Sequence, residues 1–379
     1  MAKRLRIGVI FGGRSGEHEV SIRSAASVIE AIDRKKYDVL PIAISREGKW
    51  LSPPDASQLL PEVAQSLLPA RVASAVRGDV AILGDPSHTG LLSFDRNGGA
   101  LSSQGLDVVF PVLHGPFGED GTLQGLLEMA NVPYIGCGVL ASACGMDKVA
   151  MKLLFLQAGL PICRYVWFLR SQWENDPSRV IKTIKREIGL SCFVKPANLG
   201  SSVGISKAVD KPSLERGINL AAQYDRKIIV EETVDAREIE CAVIGNDEPT
   251  ASLPGEYVVH DNSAGFLDYT EKYTKTGHVD FVVPAPVSKA LSTRIQRMAI
   301  QAFQSVDAAG LARVDFFFKR DTKELLVNEL NTMPGLTEVS GYPKMWAASG
   351  LSYTRMLDLL IELALDRHRE KSRNKTTQS

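Results

Sequence analysis

The sequence lacks the features that mark several large classes of protein. Of its 379 residues 44 are basic and 44 are acidic, so the formal net charge is zero and no excess of positive charge favours a nucleic acid or an anionic membrane as a partner. No apolar run is long enough to cross a bilayer, and the first one, residues 5–11, is too short for a signal peptide. We therefore expect a cytoplasmic protein that binds neither nucleic acid nor membrane.

Cysteines and the best-known nucleotide-binding motifs are also scarce. The five cysteines are odd in number, and no pair has the tight spacing of a zinc site or a redox dithiol, which favours reduced thiols. The Gly-rich segment Gly12–Glu19 is neither a P-loop nor a dinucleotide fingerprint, and His18 has no second histidine at Ile22 to complete a zinc-protease helix. The missing fingerprint argues against a dehydrogenase, which the opening strand and glycines would otherwise suggest.

The composition and periodicity indicate a multidomain α/β protein. Hydrophobic residues make up 44% and charged residues 23% of a chain long enough for about two or three domains. Residues 5–11 and 37–44 are predicted strands around a helix that begins near Gly16 with Ser15 as its cap, which predicts a βαβ unit with a parallel sheet. Residues 51–104 are rich in Ser, Pro, Gly and Ala, and we interpret them as an excursion from the first domain that contains a hairpin.

Two Gly-rich segments have the composition of anion sites. Backbone N–H groups and the helix dipole in Gly12–Glu19 suit an anion, and Glu17 suits an ammonium group; the alternative is a tight turn with capping acids. In residues 193–204 a strand delivers Lys195 to a Gly/Ser loop that can close over phosphate oxygens. The alternative for this second segment is a surface hairpin.

The most informative pattern lies on two neighbouring predicted strands. Arg313 and Asp315 are two residues apart on one strand, and Glu329 and Asn331 are two apart on the next. Residues i and i+2 of a strand share a face. A hairpin that sets Asp315 opposite Glu329 would therefore collect two carboxylates, an amide oxygen and a guanidinium on one face, which suits Mg²⁺ with substrate phosphates. The alternative is a solvated sheet face with ion pairs.

Two further features are candidates for the same site. Residues 260–283 hold few core-forming residues, which fits a lid loop that orders over a substrate, or simply a surface loop. His114 stands at the end of a predicted strand, where ligands bind in α/β sheets, although a lone histidine is more often structural.

In this order the motifs resemble those of the D-alanine–D-alanine ligases of the ATP-grasp superfamily, over nearly the whole chain. The landmarks are the segments 12–21, 114–121, 146–148, 195–204, 313–315 and 329–335. One such motif would be weak evidence, but all of them in order make a specific match. The resemblance implies an enzyme that ligates two D-alanines into D-alanyl-D-alanine for peptidoglycan precursors, through an acyl phosphate and with release of ADP and phosphate.

The resemblance also implies an architecture and partners. Residues 1–136 would form an N-terminal α/β substrate domain, residues 137–231 a central ATP-grasp domain, and residues 232–379 a C-terminal ATP-grasp domain with the metal site and a lid near 260–283. It implies ATP as co-substrate, two Mg²⁺ ions for which Mn²⁺ can substitute, and a homodimer. Two alternatives stay open: the same chemistry with D-lactate or D-serine as acceptor, and a regulatory nucleotide-binding protein that has lost catalysis.

The same resemblance assigns individual residues to roles. The residues expected to bind ATP are Lys148, Lys195, Ser201, Ser202, Glu231, Glu232, Val234, Glu238 and Lys272. The expected metal ligands are Asp315, Glu329 and Asn331. The residues expected to bind D-alanine are Glu17, His114, Lys272, Arg313, Gly335 and Ser340. The residues expected to act in catalysis are Glu17, Ser201, Tyr273, Arg313 and Gly335.

Three of these positions, together with Gly341, bear on the reaction or on its specificity. The guanidinium of Arg313 and the N–H of Gly335 would stabilise the tetrahedral oxyanion. With Tyr273, the lid sequence resembles that of relatives that accept D-alanine as the second substrate, whereas relatives that accept D-lactate typically have a histidine in the corresponding role. Gly341 departs from the family, because some members carry a larger apolar residue there, and this bears on the shape of the second amino-acid pocket.

Overall fold

The computed structural model describes residues 3–88, 90–94, 99–200, 203–259 and 279–375, which form three β-sheets with helices packed on them. The helices of these residues are α1 (His18–Ala31), α2 (Pro53–Ser57), α3 (Glu62–Ser66), α4 (Ala70–Ala73), α5 (Thr122–Met129), α6 (Val139–Met146), α7 (Lys148–Gln157), α8 (Arg170–Asn175), α9 (Pro177–Glu187), α10 (Lys211–Tyr224), α11 (Lys289–Ser305), α12 (Gly341–Ala348) and α13 (Tyr353–Lys371). The predicted α/β fold class is confirmed.

The first sheet is parallel at its centre and antiparallel on one side. Its strands are β1 (Leu5–Gly12), β2 (Tyr37–Ile44), β3 (Trp50–Leu51), β4 (Asp79–Ala81), β5 (Leu91–Phe94), β6 (Ala100–Gln104) and β7 (Val108–Pro111). They lie in the order β6-β5-β4-β3-β2-β1-β7, and β1 is parallel to both β2 and β7. The predicted parallel sheet is therefore confirmed at its centre, and the excursion of residues 51–104 extends the same sheet.

The helix that follows β1 begins two residues later than predicted and is not capped by Ser15. Helix α1 starts at His18, after Glu17, and no side chain caps its N-terminus. The hydroxyl of Ser15 instead accepts a hydrogen bond from the Glu17 N–H at 3.2 Å, within the turn. Gly12 and Gly13 both adopt positive φ values in this turn, which only glycine adopts at little cost.

The middle sheet is antiparallel, with one face in a core. Its other face lies toward α7 and the last sheet, and the space between this face and the last sheet is called the cleft below. Its strands are β8 (Tyr165–Leu169), β9 (Cys192–Pro196), β10 (Ser206–Ala208) and β11 (Lys227–Glu232), in the order β10-β9-β11-β8. Val194 lies opposite Val230, and both pack in a core with α9 and α10. Lys195 and Glu231 lie at alternate positions on the same strands, so they point to the other face.

The last sheet confirms the predicted hairpin register. Its strands are β12 (Ala236–Gly245), β13 (Thr250–Ala251), β14 (Gly255–Val259), β15 (Val279–Val282), β16 (Gly310–Lys319) and β17 (Leu325–Asn331). The main order is β15-β14-β12-β16-β17, with β13 paired to β12. Asp315 lies opposite Glu329 and Arg313 lies opposite Asn331, followed by an irregularity in register between Asp315 and Phe316. On the other face, Val314 packs in the core beneath α11.

Part of the predicted lid belongs to this sheet. Residues 279–282 form β15, which pairs antiparallel with β14, so the predicted boundary near residue 283 was wrong at its C-terminal end. These residues form a strand because their backbone pairs with β14, which the polar composition of residues 260–283 did not indicate. Residues 260–278 lie outside the described residues, and a lid there stays a prediction.

The last helix connects the end of the chain to the first sheet. Asp358 on α13 accepts a hydrogen bond from Lys36 Nζ at 2.6 Å, and Arg367 donates to the carbonyls of Tyr134, at 3.0 Å, and Gly136. Within the described part of the chain, no helix has the length and apolar character needed to cross a membrane.

Candidate active site

A buried ion triad lies on the cleft face of the middle sheet. Glu231 Oε2 accepts a hydrogen bond from Lys195 Nζ at 2.6 Å, and its Oε1 lies 3.1 Å from Lys152 Nζ. Burial alone would raise the pKa of Glu231, but the two lysines outweigh it and hold that pKa well below its usual range. Burial opposes the charge of each lysine, yet Glu231 raises the pKa of both. The triad is therefore fully ionised and carries one net positive charge.

Lys148 adds a second positive charge next to the loop of residues 197–200 that follows β9, which we call the phosphate loop after its predicted role. It is the first residue of α7, whose N-terminus is capped by Asp147, a carboxylate that accepts from the N–H groups of Val149 and Ala150 at 3.0 and 3.1 Å. Lys148 Nζ donates to the Leu199 carbonyl at 2.7 Å. Burial lowers the pKa of Lys148. A buried ammonium of this kind would be stabilised by an anion such as phosphate.

The cleft face of the last sheet carries the predicted carboxylates and guanidinium. Arg313 Nε and Nη2 donate to the two oxygens of Asp315 at 2.7 and 2.6 Å, and Nε lies 3.3 Å from Glu240 Oε1. Asn331 Oδ1 accepts from the Met333 N–H at 3.0 Å, which fixes the turn after β17. The negative charge of Glu329 acts to raise the pKa values of Lys148 and Lys195, although burial still leaves the pKa of Lys148 lowered. This face of the sheet therefore lies close enough to the lysines to act on them.

The donor set on this face fits Mg²⁺. Asp315 and Glu329 are carboxylates on adjacent strands, and Asn331 supplies an amide oxygen from the end of one of them. Each carboxylate oxygen of Asp315 accepts one hydrogen bond from Arg313, which orients the carboxylate on this face. Among the residues that the structure describes, no cluster of three or more His, Cys, Asp or Glu side chains could hold a metal.

Glu17 and His114 come together beside the phosphate loop. His114 is buried, and its Nδ1 lies 3.0 Å from the Met333 carbonyl. Burial lowers the pKa of His114, although Glu17 acts in the opposite direction. A Cβ on Gly200 would lie 3.6 Å from Glu17 Oε2 and 3.7 Å from Glu119 Oε1, so the phosphate loop meets both carboxyl groups.

Glu119 is a second carboxyl group at this point. It is buried, and its Oε1 accepts from the Gly115 N–H at 2.8 Å. Burial and the nearby charge of Glu17 raise the pKa of Glu119 to about 8. At neutral pH this raised pKa favours the protonated form of Glu119.

Gly335 and Ser340 flank one short turn after β17. A Cβ on Gly335 would lie 2.9 Å from Ser340 Oγ, so a side chain at position 335 would displace this hydroxyl. The Ser340 hydroxyl is also 2.6 Å from Thr337 Oγ1. Both residues follow directly from the strand that carries Glu329, which places them at the same end of the cleft.

The remaining predicted residues divide into two groups. The carboxylate of Glu232 accepts hydrogen bonds from the N–H and the Nε of Arg164, at 2.8 Å each. Val234 lies between β11 and β12, Glu238 lies within β12, and both are half-buried. The predicted site residues that lie outside the described part of the chain are Ser201, Ser202, Lys272 and Tyr273.

Three cleft residues were not predicted as site residues from the sequence: Lys152, Glu119 and Glu240. Lys152 lies four residues after Lys148, on the same face of α7, and Glu240 lies two after Glu238, on the same face of β12. Glu119 stands in a Gly-rich segment near His114. Spacing from a predicted site residue was therefore the available signal for two of the three.

Lysines on the middle sheet and α7, next to carboxylates on the last sheet, are typical of the ATP-grasp class of ATP-dependent ligases. Residues 6–137 match the family model described as D-ala D-ala ligase N-terminus, and residues 154–362 match the one described as D-ala D-ala ligase C-terminus. The chain therefore belongs to the D-alanine–D-alanine ligase family, whose members depend on ATP.

Individual relatives agree with the family models. A D-alanine–D-alanine ligase from Heliobacterium modesticaldum is 48% identical over 371 residues, which cover 98% of this chain and 97% of the relative. One from Natranaerobius thermophilus is 46% identical over 374 residues, covering 99% and 98%.

Solved structures of relatives have the same fold. A D-Ala:D-Ser ligase from Enterococcus faecalis has a TM-score of 0.81 and 37% identity, and the match covers 96% of this chain and 100% of that one. The D-alanine–D-alanine ligase from Coxiella burnetii has a TM-score of 0.80 and 36% identity, with coverage of 98% and 97%.

Proposed function

We propose that this protein joins two molecules of D-alanine into D-alanyl-D-alanine for peptidoglycan precursors, with conversion of ATP into ADP and phosphate. One observation carries the proposal: in a chain of this family, the register of β16 and β17 sets Asp315 opposite Glu329 and Arg313 opposite Asn331. That register gathers a cation site and a guanidinium where a phosphate and a carboxylate can meet.

The proposed reaction divides among three domains. Residues 1–136 would bind the first D-alanine, residues 137–231 would cover ATP from one side, and residues 232–379 would hold the metal and the other side of ATP. The three sheets support this division, because each lies within one of these ranges apart from Glu232, the last residue of β11.

ATP would lie between the middle and last sheets. Lys148 and Lys195 would neutralise its phosphates, and Ser201 and Ser202 would cover them from the loop. Burial of the lysine charges supports this role, since a buried cation gains most from an anionic ligand. The residues proposed for the adenine and ribose are Glu231, Glu232, Val234 and Glu238.

Asp315, Glu329 and Asn331 would hold two Mg²⁺ ions, for which Mn²⁺ can substitute. When bound, the metal ions neutralise phosphate charge and align the transferred group. Arg313 already contacts Asp315 and Glu240, so its guanidinium is fixed in the cleft before substrates arrive.

The chemistry proceeds in two steps. A carboxylate is a poor acylating agent, so the carboxylate of the first D-alanine attacks the γ-phosphate and forms an acyl phosphate with release of ADP. The amine of the second D-alanine then attacks the acyl carbon, and phosphate leaves. Arg313 and the Gly335 N–H would stabilise the oxyanion of the second step, where each donor of this kind is typically worth about 3–4 kcal/mol.

Substrate binding is assigned to both ends of the cleft. Glu17 would bind the ammonium group of the first D-alanine, with His114 close to its carboxylate. Ser340 and Lys272 would hold the carboxylate of the second D-alanine and the phosphate. Ser201 and Tyr273 would assist deprotonation of the attacking amine. We also propose that the enzyme works in the cytoplasm as a homodimer.

The test is ADP release with Mg²⁺, ATP and D-alanine, with mass spectrometry of the product. D-Lactate and D-serine are included as competing acceptors, because a D-Ala:D-Ser ligase is among the similar structures. D-Alanyl-D-alanine as the main product supports the proposal. A D-alanyl-D-serine or D-alanyl-D-lactate product would keep the mechanism and replace the acceptor. No ADP from a folded, ATP-binding protein would refute the proposed function.

A further inference from the structure

Phe281 fills the space in which a side chain at position 341 would lie. Gly341 follows Ser340 directly and begins α12. A Cβ built on Gly341 would lie 2.9 Å from Phe281 Cζ and 2.9 Å from Glu240 Oε2. Any larger residue at position 341 would therefore collide with the ring unless the ring moved.

A second glycine makes room for the same ring. A Cβ on Gly255, at the start of β14, would lie 2.3 Å from Phe281 Cζ. The ring of Phe281 also packs against Tyr257 on that strand, with 4.8 Å between ring centroids and an angle of 56° between the planes. The two glycines thus leave the space that the Phe281 ring occupies, and the ring of Tyr257 packs against it.

This position lies at the edge of the proposed acceptor site. Glu240, which shares the space over Gly341 with the ring, lies 3.3 Å from Arg313 Nε. Gly341 is the neighbour of Ser340, whose hydroxyl is next to Gly335. Phe281 is half-buried, so it is not enclosed in the core and keeps part of its surface accessible.

We propose that Phe281 is a specificity-determining residue that forms the apolar wall of the pocket for the second amino acid. This inference rests on the proposed function and deepens it. The ring takes the place that a side chain at position 341 would hold, and it restricts the side chain of the acceptor to about the size of a methyl group. The discrimination expected from one added methylene in an apolar pocket is about 10- to 200-fold.

The experiment compares acceptors in competition. Equal concentrations of D-alanine and D-2-aminobutyrate, which is one methylene larger, are given with ATP and Mg²⁺ to the wild type, Phe281→Leu and Phe281→Ala. Fragmentation in the mass spectrometer separates the first residue of each dipeptide from the second. We expect the share of D-2-aminobutyrate at the second position to rise about tenfold or more in both variants, with the first position unchanged.

The control and the rescue separate specificity from stability. Val282 is adjacent on β15 and points to the opposite face, so Val282→Ala should leave the acceptor ratio unchanged. The double variant Phe281→Ala/Gly341→Leu should restore the preference for D-alanine, because the new side chain enters the vacated space. A ring that only supports folding would give no such reversal.

The outcomes are distinct. A wild type that makes D-alanyl-D-alanine, with Phe281 variants whose acceptor ratio stays within twofold of it, would overturn the role of Phe281 and leave the proposed function intact. A wild type that makes no dipeptide would refute the proposed function instead. If Phe281→Ala fails to fold, Phe281→Leu and the double variant decide.

Discussion

The carboxylate of Glu231 is buried between Lys152 and Lys195, and its charge state depends on both. A buried charge that loses one partner is costly, because water cannot replace that partner. Lys152 therefore acts through Glu231: it keeps the carboxylate ionised and fixed, and the carboxylate in turn positions Lys195.

Replacement of Lys152 by methionine tests this dependence. We expect Lys152→Met to lower the free energy of unfolding by about 3 kcal/mol, as for other broken buried ion pairs, and to raise the Kd for ATP about tenfold. Chemical denaturation and calorimetry measure the two effects. Lys185→Met, at an exposed position of α9, should change neither value. Wild-type ATP affinity in Lys152→Met would show that Lys195 needs no such support.

We propose a different role for Arg313, which is to stabilise the oxyanion. It contacts Asp315 on its own strand and Glu240 on β12, and these contacts position its guanidinium. We expect Arg313→Ala to lower kcat by about 10²–10³, the usual effect of removing one oxyanion donor, while ATP affinity stays within about twofold. Rapid-quench kinetics and ATP titration measure the two. Weaker ATP binding with preserved turnover would assign Arg313 to the nucleotide and not to the oxyanion.

At the scale of elements, period-two spacing was enough to predict the most important contact. Arg313, Asp315, Glu329 and Asn331 share a face because the link between the strands is short, so the register followed from the sequence alone. The role of Lys152 did not follow, because it depends on α7 packing against β11, which lies 70 or more residues away in the chain. The spacing of Lys152 from Lys148 places the two lysines on one face of α7, but it does not reveal the distant partner Glu231.

The position of the Phe281 ring, which we propose as a wall of the acceptor pocket, could not be predicted from the sequence for the same reason. The sequence showed that Gly341 departs from the family, but the ring that fills the space comes from a strand predicted to be part of the lid. The assignments of Ser201 and Tyr273 came from family resemblance and stay predictions.

At the N-terminus of α7, the capping residue Asp147 is next to Lys148, which we propose to bind phosphate. Asp147 caps two N–H groups of this helix and forms an ion pair with Lys227. We expect Asp147→Ala to cost about 1–2 kcal/mol of stability and to raise the KM for ATP, because Lys148 is the next residue. Asp210 caps α10 in the same way, away from the cleft, so Asp210→Ala should lower stability and leave that KM unchanged. Equal KM values in both variants would separate the cap from ATP binding.

At the scale of the whole molecule, a net charge of zero conceals clusters of buried charge in the cleft. Glu231 lies between Lys152 and Lys195, and Arg313 contacts Asp315 and Glu240. Glu119 is also buried there, and burial raises its pKa. The ionisation of these buried groups therefore contributes to the stability of the folded chain.

The raised pKa of Glu119 makes that contribution dependent on pH. Its folded pKa is about 8 against an ordinary value of 4.5, so between these values the folded state holds a proton that the unfolded state has released. Stability is therefore present at low pH and is lost as the pH rises toward 8. His114, whose pKa is lowered from 6.5, acts in the opposite direction but only below 6.5.

The window from pH 6.5 to 8 lies above the range in which His114 acts and includes the pKa of Glu119. We expect the free energy of unfolding of the ligand-free protein to fall across this window, with a slope of at most about 1.4 kcal/mol per pH unit for one proton. Urea denaturation at several pH values measures it. Glu119→Gln removes the titrating group and keeps the hydrogen-bond acceptor for the Gly115 N–H, so its slope should be flatter than that of the wild type. Equal slopes for the two proteins would mean that Glu119 does not titrate in this window, and its raised pKa would have to be abandoned.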